Sequence, residues 1–259
     1  MRRRRSSPQT PAAAAFLALL LTAALGSPAH ADPVVFEPGI SLNPILFGSH
    51  QSYNDKTTIA PIPVPILEAR IRSGPLEFEA FGLPALAAVP HTDAVEGPTS
   101  TRLSILDGTF RVYDPLHRYS VGAGETLYNQ ATYYTNGIEI PGVGERQSSR
   151  VVGGHYELGY HIGIGKGHLD AFAALAPAMR GAQITLYDDP FYRGRYDPEV
   201  ADQLDLNVRW ERQLSAHRSI FFGVRYVNYT ARYDERSGGL SDRNVGLLPA
   251  IGMHWQIGR

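Results

Sequence analysis

Residues 203–229, QLDLNVRWERQLSAHRSIFFGVRYVNY, alternate apolar and polar side chains twice, on either side of a short polar turn. Because successive side chains of a β-strand point to opposite faces, each half of this stretch has one apolar and one polar face. The apolar rows are Leu204, Leu206, Val208 and Trp210 before the turn and Ile220, Phe222, Val224 and Tyr226 after it. A soluble core would leave a heavily charged face in water, whereas apolar rows that face lipid around a polar lumen satisfy the same pattern. The stretch therefore predicts a long hairpin of a transmembrane β-barrel.

The first 31 residues have the three parts of a secretory signal peptide. Arginines at positions 2–5 precede an apolar run at 12–25, and Ser27-Pro-Ala-His-Ala31 ends in the small-x-small pattern of a cleavage site. The apolar run is shorter than the roughly 20 residues of a spanning helix. We therefore predict that residues 1–31 are removed on export and that residues 32–259 form a barrel.

Composition narrows the class of protein further. The chain has no cysteine, which excludes a disulfide scaffold and a thiolate metal site. Subtracting the four leader arginines from 24 Lys and Arg leaves 20 basic side chains against 25 acidic ones, so we expect no nucleic-acid partner. After the leader no apolar run is long enough for a spanning helix, so any membrane crossing must consist of strands.

The mature chain contains ten alternating segments whose connections are short and long in turn. The segments are 36–47, 58–71, 76–89, 101–113, 118–134, 149–164, 168–187, the two halves of the hairpin above, and 244–259. The short connections are 72–75, 114–117, 165–167 and 214–218. An even number of strands, with short turns at one end and long loops at the other, is typical of barrels in the bacterial outer membrane, whereas a Greek-key sandwich has no reason to show it. The fold prediction is an all-β, antiparallel, up-and-down transmembrane barrel of about ten strands.

Aromatic residues cluster near the two ends of these segments. The loop ends carry Tyr133, Tyr134, Tyr187, Tyr229 and Tyr233, and the short-turn end carries Trp210 and Trp255. Two girdles of amphipathic rings at the membrane interfaces would produce this separation. The alternative is that β-propensity alone enriches aromatic residues in strands.

The closing strand alternates as well, and here the chain resembles bacterial outer-membrane proteins, although it ends on Arg259 rather than on an aromatic residue. A second stretch, residues 58–83, TIAPIPVPILEARIRSGPLEFEAFGL, resembles an early hairpin of the MltA-interacting protein (MipA/OmpV) family. An outer-membrane barrel implies contact with outer-membrane lipid and insertion by the barrel assembly machinery. We also expect a periplasmic or envelope protein partner if the barrel is an adaptor.

With the apolar rows facing lipid, the lumen receives many polar side chains of both charge signs. They are Glu68, Arg70, Glu77, Glu79, Arg111, His155, Glu157, His161, Asp170, Asp205, Asn207, Arg209, Glu211, Arg225 and His254. A four-residue turn at 72–75 would place Arg70 opposite Glu77, and the 203–229 hairpin would place Arg225 opposite Asp205 or Asn207. Such pairs stabilise a sheet. This lumen predicts a structural or adaptor-like barrel, or a narrow channel for small solutes.

His155, Glu157 and His161 are the residue types of a metal site, but they lie on one strand. At about 3.3 Å per residue, the two histidines are about 20 Å apart, too far to bind one zinc ion at about 2 Å. A metal site would need residues from neighbouring strands. We therefore predict no metal and no cofactor.

Two alternatives remain open. A barrel hydrolase would act on lipid A or peptides at its outer rim, where His91, Asp93, Asp188, Asp189 and Asp202 are the candidate residues. No nucleophile and base can be paired among them, so a protein that is not an enzyme is favoured. The other alternative is a soluble exported lipocalin-like or sandwich binder, in which the apolar rows would form the core.

Pro61, Pro63 and Pro65 share one parity, so in a strand their missing N–H groups would face the same neighbour. Proline is tolerated in sheets mainly at edges and bulges. The segment is therefore either a weak seam, through which a lipid-like ligand could enter sideways, or a proline-rich approach to a strand that starts at Ile66. The second interpretation is favoured.

Overall fold

The computed structural model describes residues 33–51, 54–83, 88–93, 97–134, 145–186, 194–196, 200–232 and 241–257. The predicted signal peptide lies outside these residues. Within the described ranges no helix is long and apolar enough to cross a membrane. The strands are β1 Val35–Gln51, β2 Asn54–Ser73, β3 Leu76–Leu83, β4 Ala88–Asp93, β5 Gly97–Tyr113, β6 Tyr119–Tyr134, β7 Glu145–Ile164, β8 Gly167–Ala176, β9 Arg180–Leu186, β10 Gly194–Tyr196, β11 Val200–Ser215, β12 Arg218–Arg232 and β13 Ser241–Trp255.

These strands form one closed barrel with ten strand positions in its wall, and we call each position a stave. β3 with β4 forms one interrupted stave beside β5, β8 with β9 forms another beside β7, and β10 pairs only with β9. Neighbouring staves pair antiparallel in chain order, and β1 pairs with β13 to close the ring. The predicted ten-stranded antiparallel barrel is confirmed. The soluble binder is wrong, because the apolar rows lie on the outer surface, where Leu158 is 67% exposed.

The described chain ends and the turns β2–β3, β5–β6, β7–β8 and β11–β12 lie at one end of the barrel, which we call the short-turn end. There Phe36 and Ile257 exchange two backbone hydrogen bonds, of 3.0 and 2.8 Å. The first turn has two residues, Gly74 and Pro75, instead of the predicted four, and Gly74 adopts a positive φ of 54° that favours glycine.

Turn length changes one predicted charge pair and leaves another intact. Because the β2–β3 turn is two residues shorter than expected, Arg70 lies opposite Glu79, so the predicted pairing of Arg70 with Glu77 is wrong. In the β11–β12 hairpin, Arg225 lies opposite Asn207, which is one of the two predicted registers.

The strands at the opposite end are longer than the alternation indicates. β1 and β2 continue through most of the predicted polar loop at 48–57, and β4 and β5 occupy most of the loop at 90–100. Pro61, Pro63 and Pro65 lie inside β2, so a strand that starts only at Ile66 is wrong.

The edges of β2 show how the prolines are tolerated. Towards β1 the register breaks opposite Pro44, where residues 61–63 face one residue. Towards the next stave, the described residues of β2 and β3 pair from Leu67 to Ser73. β2 and β4 lie side by side, but the described residues share no ladder between them. Prolines at a bulge cost few ladder hydrogen bonds.

The barrel interior has two layers along its axis. Ionic side chains fill the half near the short turns, and apolar side chains fill the half near the loops. The apolar layer consists of Ile66, Phe81, Leu83, Ile105, Tyr128, Val151, Ala176, Met179, Ala201, Val227, Tyr229, Ala231 and Leu248. The lumen is therefore a packed core in both halves, with different chemistry in each.

The described side chains alter the aromatic girdle. Trp210 packs on Phe222 outside the barrel, and Trp255 is exposed near the short turns. Tyr229 is fully buried inside, where its ring stacks on Tyr128 with centroids 5.1 Å apart, so its assignment to the girdle is wrong. The position of Tyr229 in β12 has the parity of the inward-facing residues of that strand. The side chains of Tyr133 and Tyr134, and the whole of Tyr187 and Tyr233, lie outside the described residues.

A carboxylate organises the turn between β5 and β6. Asp114 accepts hydrogen bonds from the backbone N–H groups of Leu116 (3.0 Å), Arg118 (2.6 Å) and Tyr119 (2.6 Å). These bonds, with that of Tyr119 first, lower the pKa of Asp114 below its usual value. Because the pKa of Asp114 is lowered, its carboxylate stabilises the turn fully at any pH above the ordinary pKa of an aspartate. This stabilisation is lost as the pH falls through the lowered pKa.

We predict that Asp114→Ala accelerates hydrogen exchange of the Leu116, Arg118 and Tyr119 amides at neutral pH, because they lose their acceptor. Lys166→Ala in the β7–β8 turn is the matched control and should leave these amides unchanged. Unchanged exchange in Asp114→Ala would show that the carboxylate does not hold the turn.

Candidate functional site

The structure places the fifteen predicted lumen residues on the inner side of the barrel. Glu68, Asn207 and Arg225 are half-buried, and the other twelve are buried. Strand alternation explains this position, since all fifteen have the parity opposite to the exposed apolar rows. They form the ionic layer of the interior.

Arg111 is the centre of the ionic layer. From β5 its guanidinium contacts Glu77 (Nη1–Oε1 2.8 Å) and Glu79 on β3, and it binds Glu157 on β7 through both Nε and Nη2. Its plane also lies over the Phe172 ring, 4.2 Å from the centroid. One arginine thus satisfies three buried carboxylates, because its fixed fork of donors can serve several acceptors at once.

A second group spans the lumen between β2 and β11. Arg209 Nη1 donates to Glu79 Oε1 (3.0 Å) and contacts Glu68 Oε2 (3.4 Å). Arg70 Nη2 is 2.8 Å from Glu211 Oε1. His254 joins the two pairs, because its Nδ1 lies 2.7 Å from Arg70 and its Nε2 lies 3.2 Å from Glu68. These contacts join residues far apart in the sequence.

A third group lies next to the apolar layer. Both ring nitrogens of His155 contact threonine hydroxyls, at 2.9 Å for Thr109 and 3.1 Å for Thr126, and both threonines contact Asp107. Arg225 binds Asp205 through Nε (2.8 Å). The cavity beside these groups has a volume of about 50 Å³, which is room for a few water molecules.

Ser120, His161 and Asp170 have the connectivity of a catalytic triad. Ser120 Oγ is 3.1 Å from His161 Nε2, and His161 Nδ1 is 2.8 Å from Asp170 Oδ1. However, Ser120 is 3% exposed, and a Cβ at Gly159 would overlap its hydroxyl, so Gly159 closes the space above the oxygen. A nucleophile needs a reacting atom about 3 Å away. The group therefore holds His161 in place and has no room for a substrate carbonyl.

A wide cavity of about 760 Å³ opens at the short-turn end, and we call it the vestibule. Its lining combines cations, aromatic rings and one end of the ionic layer: Arg72, Tyr113, His117, Arg118, Tyr119, Tyr160, His161, His168 and Asp170, among others. The vestibule is the part of the described interior that a solute or a partner can reach most easily.

The candidate residues of a rim hydrolase are mostly outside the described part of the chain. Asp188 and Asp189 are outside it, as are the side chains of His91 and Asp93. Asp202 is half-buried in β11. The structure brings no described nucleophile or base to Asp202.

Sequence analysis missed several interior residues that support the ionic layer, among them Asp107, Thr109, Phe172 and Phe221. The ring of Phe221 stacks on His254, with centroids 4.6 Å apart. Parity would have found all four, because Asp107 and Thr109 alternate in step with Arg111, Phe172 follows Asp170 by two positions, and Phe221 lies between the outward residues Ile220 and Phe222.

The fold is similar to that of solved outer-membrane barrels. The outer membrane protease OmpT of Escherichia coli superposes with a TM-score of 0.63 at 11% sequence identity, over 88% of this chain and 99% of that one. Neisserial surface protein A (TM-score 0.38, 9% identity, 88% and 100% of the chains) and the Pseudomonas putida toluene transporter TodX (0.36, 10%, 88% and 91%) also match. No family model and no curated protein sequence matches the chain. At these identities the likeness shows the fold alone.

We predict that Arg111→Met destabilises the barrel by about 3–5 kcal/mol, because it leaves Glu77, Glu79 and Glu157 buried without their shared cation. The measurement is urea unfolding of the refolded protein, followed by tryptophan fluorescence. Arg212→Met, which removes an exposed arginine, is the control and should change stability by less than about 0.5 kcal/mol. Equal effects of the two substitutions would contradict a central role for Arg111.

Proposed function

We propose that this protein is an integral barrel of the bacterial outer membrane with a sealed, charge-paired lumen and a structural or adaptor role. The observation that carries the proposal is the ionic layer, in which Arg111 and Arg209 bridge the strands across the interior. The apolar layer next to it adds a second barrier to solutes. A narrow channel is therefore the weaker of the two expected roles.

The outer surface supports a membrane location. Large apolar side chains are exposed around the barrel, for example Leu67, Leu106, Leu158 and Leu175, each more than half exposed. Such a surface is stable in lipid and unfavourable in water. Outer-membrane lipid and the barrel assembly machinery are the partners that this location implies. With the short-turn end in the periplasm, the predicted cleaved leader would export the chain to that side.

The vestibule supports the adaptor role. It would open to the periplasm and present Arg72 and Arg118 beside the inward ring of Tyr113. Tyrosine and arginine are enriched in protein interfaces, where they combine apolar contact with hydrogen bonding. A periplasmic or envelope protein is thus the proposed partner. The resemblance of residues 58–83 to an early hairpin of the MipA/OmpV family leads to a finer proposal, that the protein is a member of that family. The comparison with family models does not support this membership.

The enzyme alternative has one structural point in its favour, the similarity of fold to a protein described as an outer membrane protease. Residues that could act at the rim are not brought together in the described part of the chain. The triad-like group at the opposite end has a covered serine. We therefore propose that the protein is not an enzyme.

The first test combines gel mobility with conductance. We expect the unboiled mature protein to migrate differently from the boiled protein, to fractionate with outer membranes, and to give no discrete conductance steps in planar bilayers. An open porin measured in parallel is the positive control. A mobility shift with reproducible conductance steps would replace the sealed barrel by a channel, and protein in the soluble periplasmic fraction without a shift would contradict the membrane barrel itself.

The region around Pro61, Pro63 and Pro65 supports a second, narrower proposal, a seam between β2 and β4. Neighbouring strands without a ladder leave backbone donors and acceptors unpaired along one line of the wall. A lipid-like ligand could enter sideways there.

For the seam we predict that alternate amides of β4, those that point towards β2, exchange hydrogen rapidly in detergent. Amides of the β2–β3 ladder from Leu67 to Ser73 should remain protected in the same sample and serve as the internal control. Uniform protection of β4 would show that the ladder is continuous and that the seam does not exist.

A further inference from the structure

The ion pairs in the barrel contain more negative than positive charge. Among the described residues they involve nine carboxylates but five arginines: Glu37, Glu68, Glu77, Glu79, Asp107, Glu157, Asp170, Asp205 and Glu211 against Arg70, Arg72, Arg111, Arg209 and Arg225. Nine minus five leaves four negative charges when the four histidines of the same ion pairs, His155, His161, His168 and His254, are neutral. Charge in a poorly hydrated interior must be compensated by protons or by cations. A place in the layer where a cation fits would therefore compensate part of this charge.

His168, Asp170 and Glu211 form such a place at the inner end of the vestibule. Glu211 on β11 lies directly opposite His168 on β8, and Asp170 follows His168 by two positions on the same face. His168 Nε2 is 3.4 Å from Asp170 Oδ2 and 3.9 Å from Glu211 Oε2, and the three atoms lie within 4.8 Å of one another.

These separations suit a metal ion. Ligand atoms around a tetrahedral ion with bonds of about 2.1 Å are about 3.4 Å apart. One pair already has this separation, a second needs to approach by about half an ångström, and the third, between Asp170 and Glu211, by at most about 1.4 Å. The side chain of His168 is 42% exposed, so it can move to shorten its own distances to the two carboxylates.

One oxygen in this cluster points to a missing ligand. Glu211 is 3% exposed, and its Oε2 has no hydrogen-bond partner, whereas its Oε1 contacts Arg70, Ser219 and His254. Arg209 is not a partner, because its Nε is 3.9 Å from Glu211 Oε2 and its Nη2 is 3.9 Å from Asp170 Oδ2, too far for hydrogen bonds. A buried carboxylate oxygen without a partner requires an explanation, and a bound cation supplies one.

The surroundings of the cluster also resemble those of metal sites. His161 Nδ1 donates to Asp170 Oδ1 (2.8 Å), which fixes the carboxylate and turns its other oxygen, Oδ2, towards His168. Both His168 and Asp170 line the vestibule, so an ion could reach the cluster from the short-turn end and keep a water molecule as a further ligand.

We propose that His168, Asp170 and Glu211 bind a divalent first-row transition metal ion, of which Zn²⁺ is the best match. One imidazole with two carboxylates is a ligand set that zinc accepts, with the remaining position open to the vestibule. The expectation of no metal was based on His155, Glu157 and His161, and none of these supplies a ligand here. The ion offsets part of the negative excess.

The test uses the refolded mature protein, titrated with Zn²⁺ by calorimetry and with Co²⁺ by visible absorption. We expect one ion per barrel, and at least a tenfold weaker affinity in His168→Gln, which removes the most accessible ligand. His117→Gln is the matched control, because this exposed histidine lines the same vestibule outside the cluster. It should bind the ion as the unaltered protein does. The gel-mobility shift of each unboiled variant verifies that it is folded.

Absence of binding in the unaltered protein, or equal affinities of His168→Gln and His117→Gln, would overturn the proposal. A second measurement does not depend on variants: Zn²⁺ should slow modification of His168 by diethyl pyrocarbonate at least severalfold and leave His117 unaffected. Modification of both at unchanged rates would equally overturn it. These results are independent of conductance, so a barrel that conducts could still bind the metal, and a sealed barrel could fail to do so.

Discussion

Closure of the sheet is the constraint on which the rest of this structure depends. Because each stave has a hydrogen-bonded neighbour on both sides for most of its length, alternate side chains must enter a narrow interior that holds little water. Charged groups placed there have to find partners among themselves. Arg111 meets this requirement by serving carboxylates of β3 and β7, the staves on either side of its own hairpin. The ion pairs are thus a consequence of barrel closure, and they also stabilise the closed barrel.

The two interior layers meet through contacts between cations and aromatic rings. Arg225, whose charge is paired with Asp205 in the ionic layer, lies over the Phe81 ring at 4.1 Å, and Phe81 belongs to the apolar layer. A guanidinium is weakly hydrated and stacks well on an aromatic face, so it can border an apolar region at low cost. The change from charged to apolar packing therefore needs no intervening water channel. This continuity is a physical reason to expect a sealed lumen.

The two-residue period predicted the barrel and the inward face of most lumen residues, since it needs only the order of residues along each strand. It could not predict register. Arg70 was assigned to Glu77 because turn length was read from the apolar rows, whereas a glycine with positive φ makes a tighter turn. Tyr229 lies near a strand end, where aromatic girdles are expected, but its parity directs its ring into the lumen. β2 continues through its prolines because a bulge opposite Pro44 accommodates them, and this bulge is a tertiary feature.

The cluster at His168 could not be predicted from the sequence of any single strand. His168 and Asp170 form a His-x-Asp pair on one face, which the sequence displays, but Glu211 joins them only through the register between β8 and β11. The connection between those strands passes through β9 and β10, so no local turn fixes that register. It is set by closure, which places β8 and β11 side by side although β9 and β10 lie between them in the sequence. Chemistry in this barrel therefore arises where strands that are distant in sequence become neighbours, and the vestibule lies at one of those junctions.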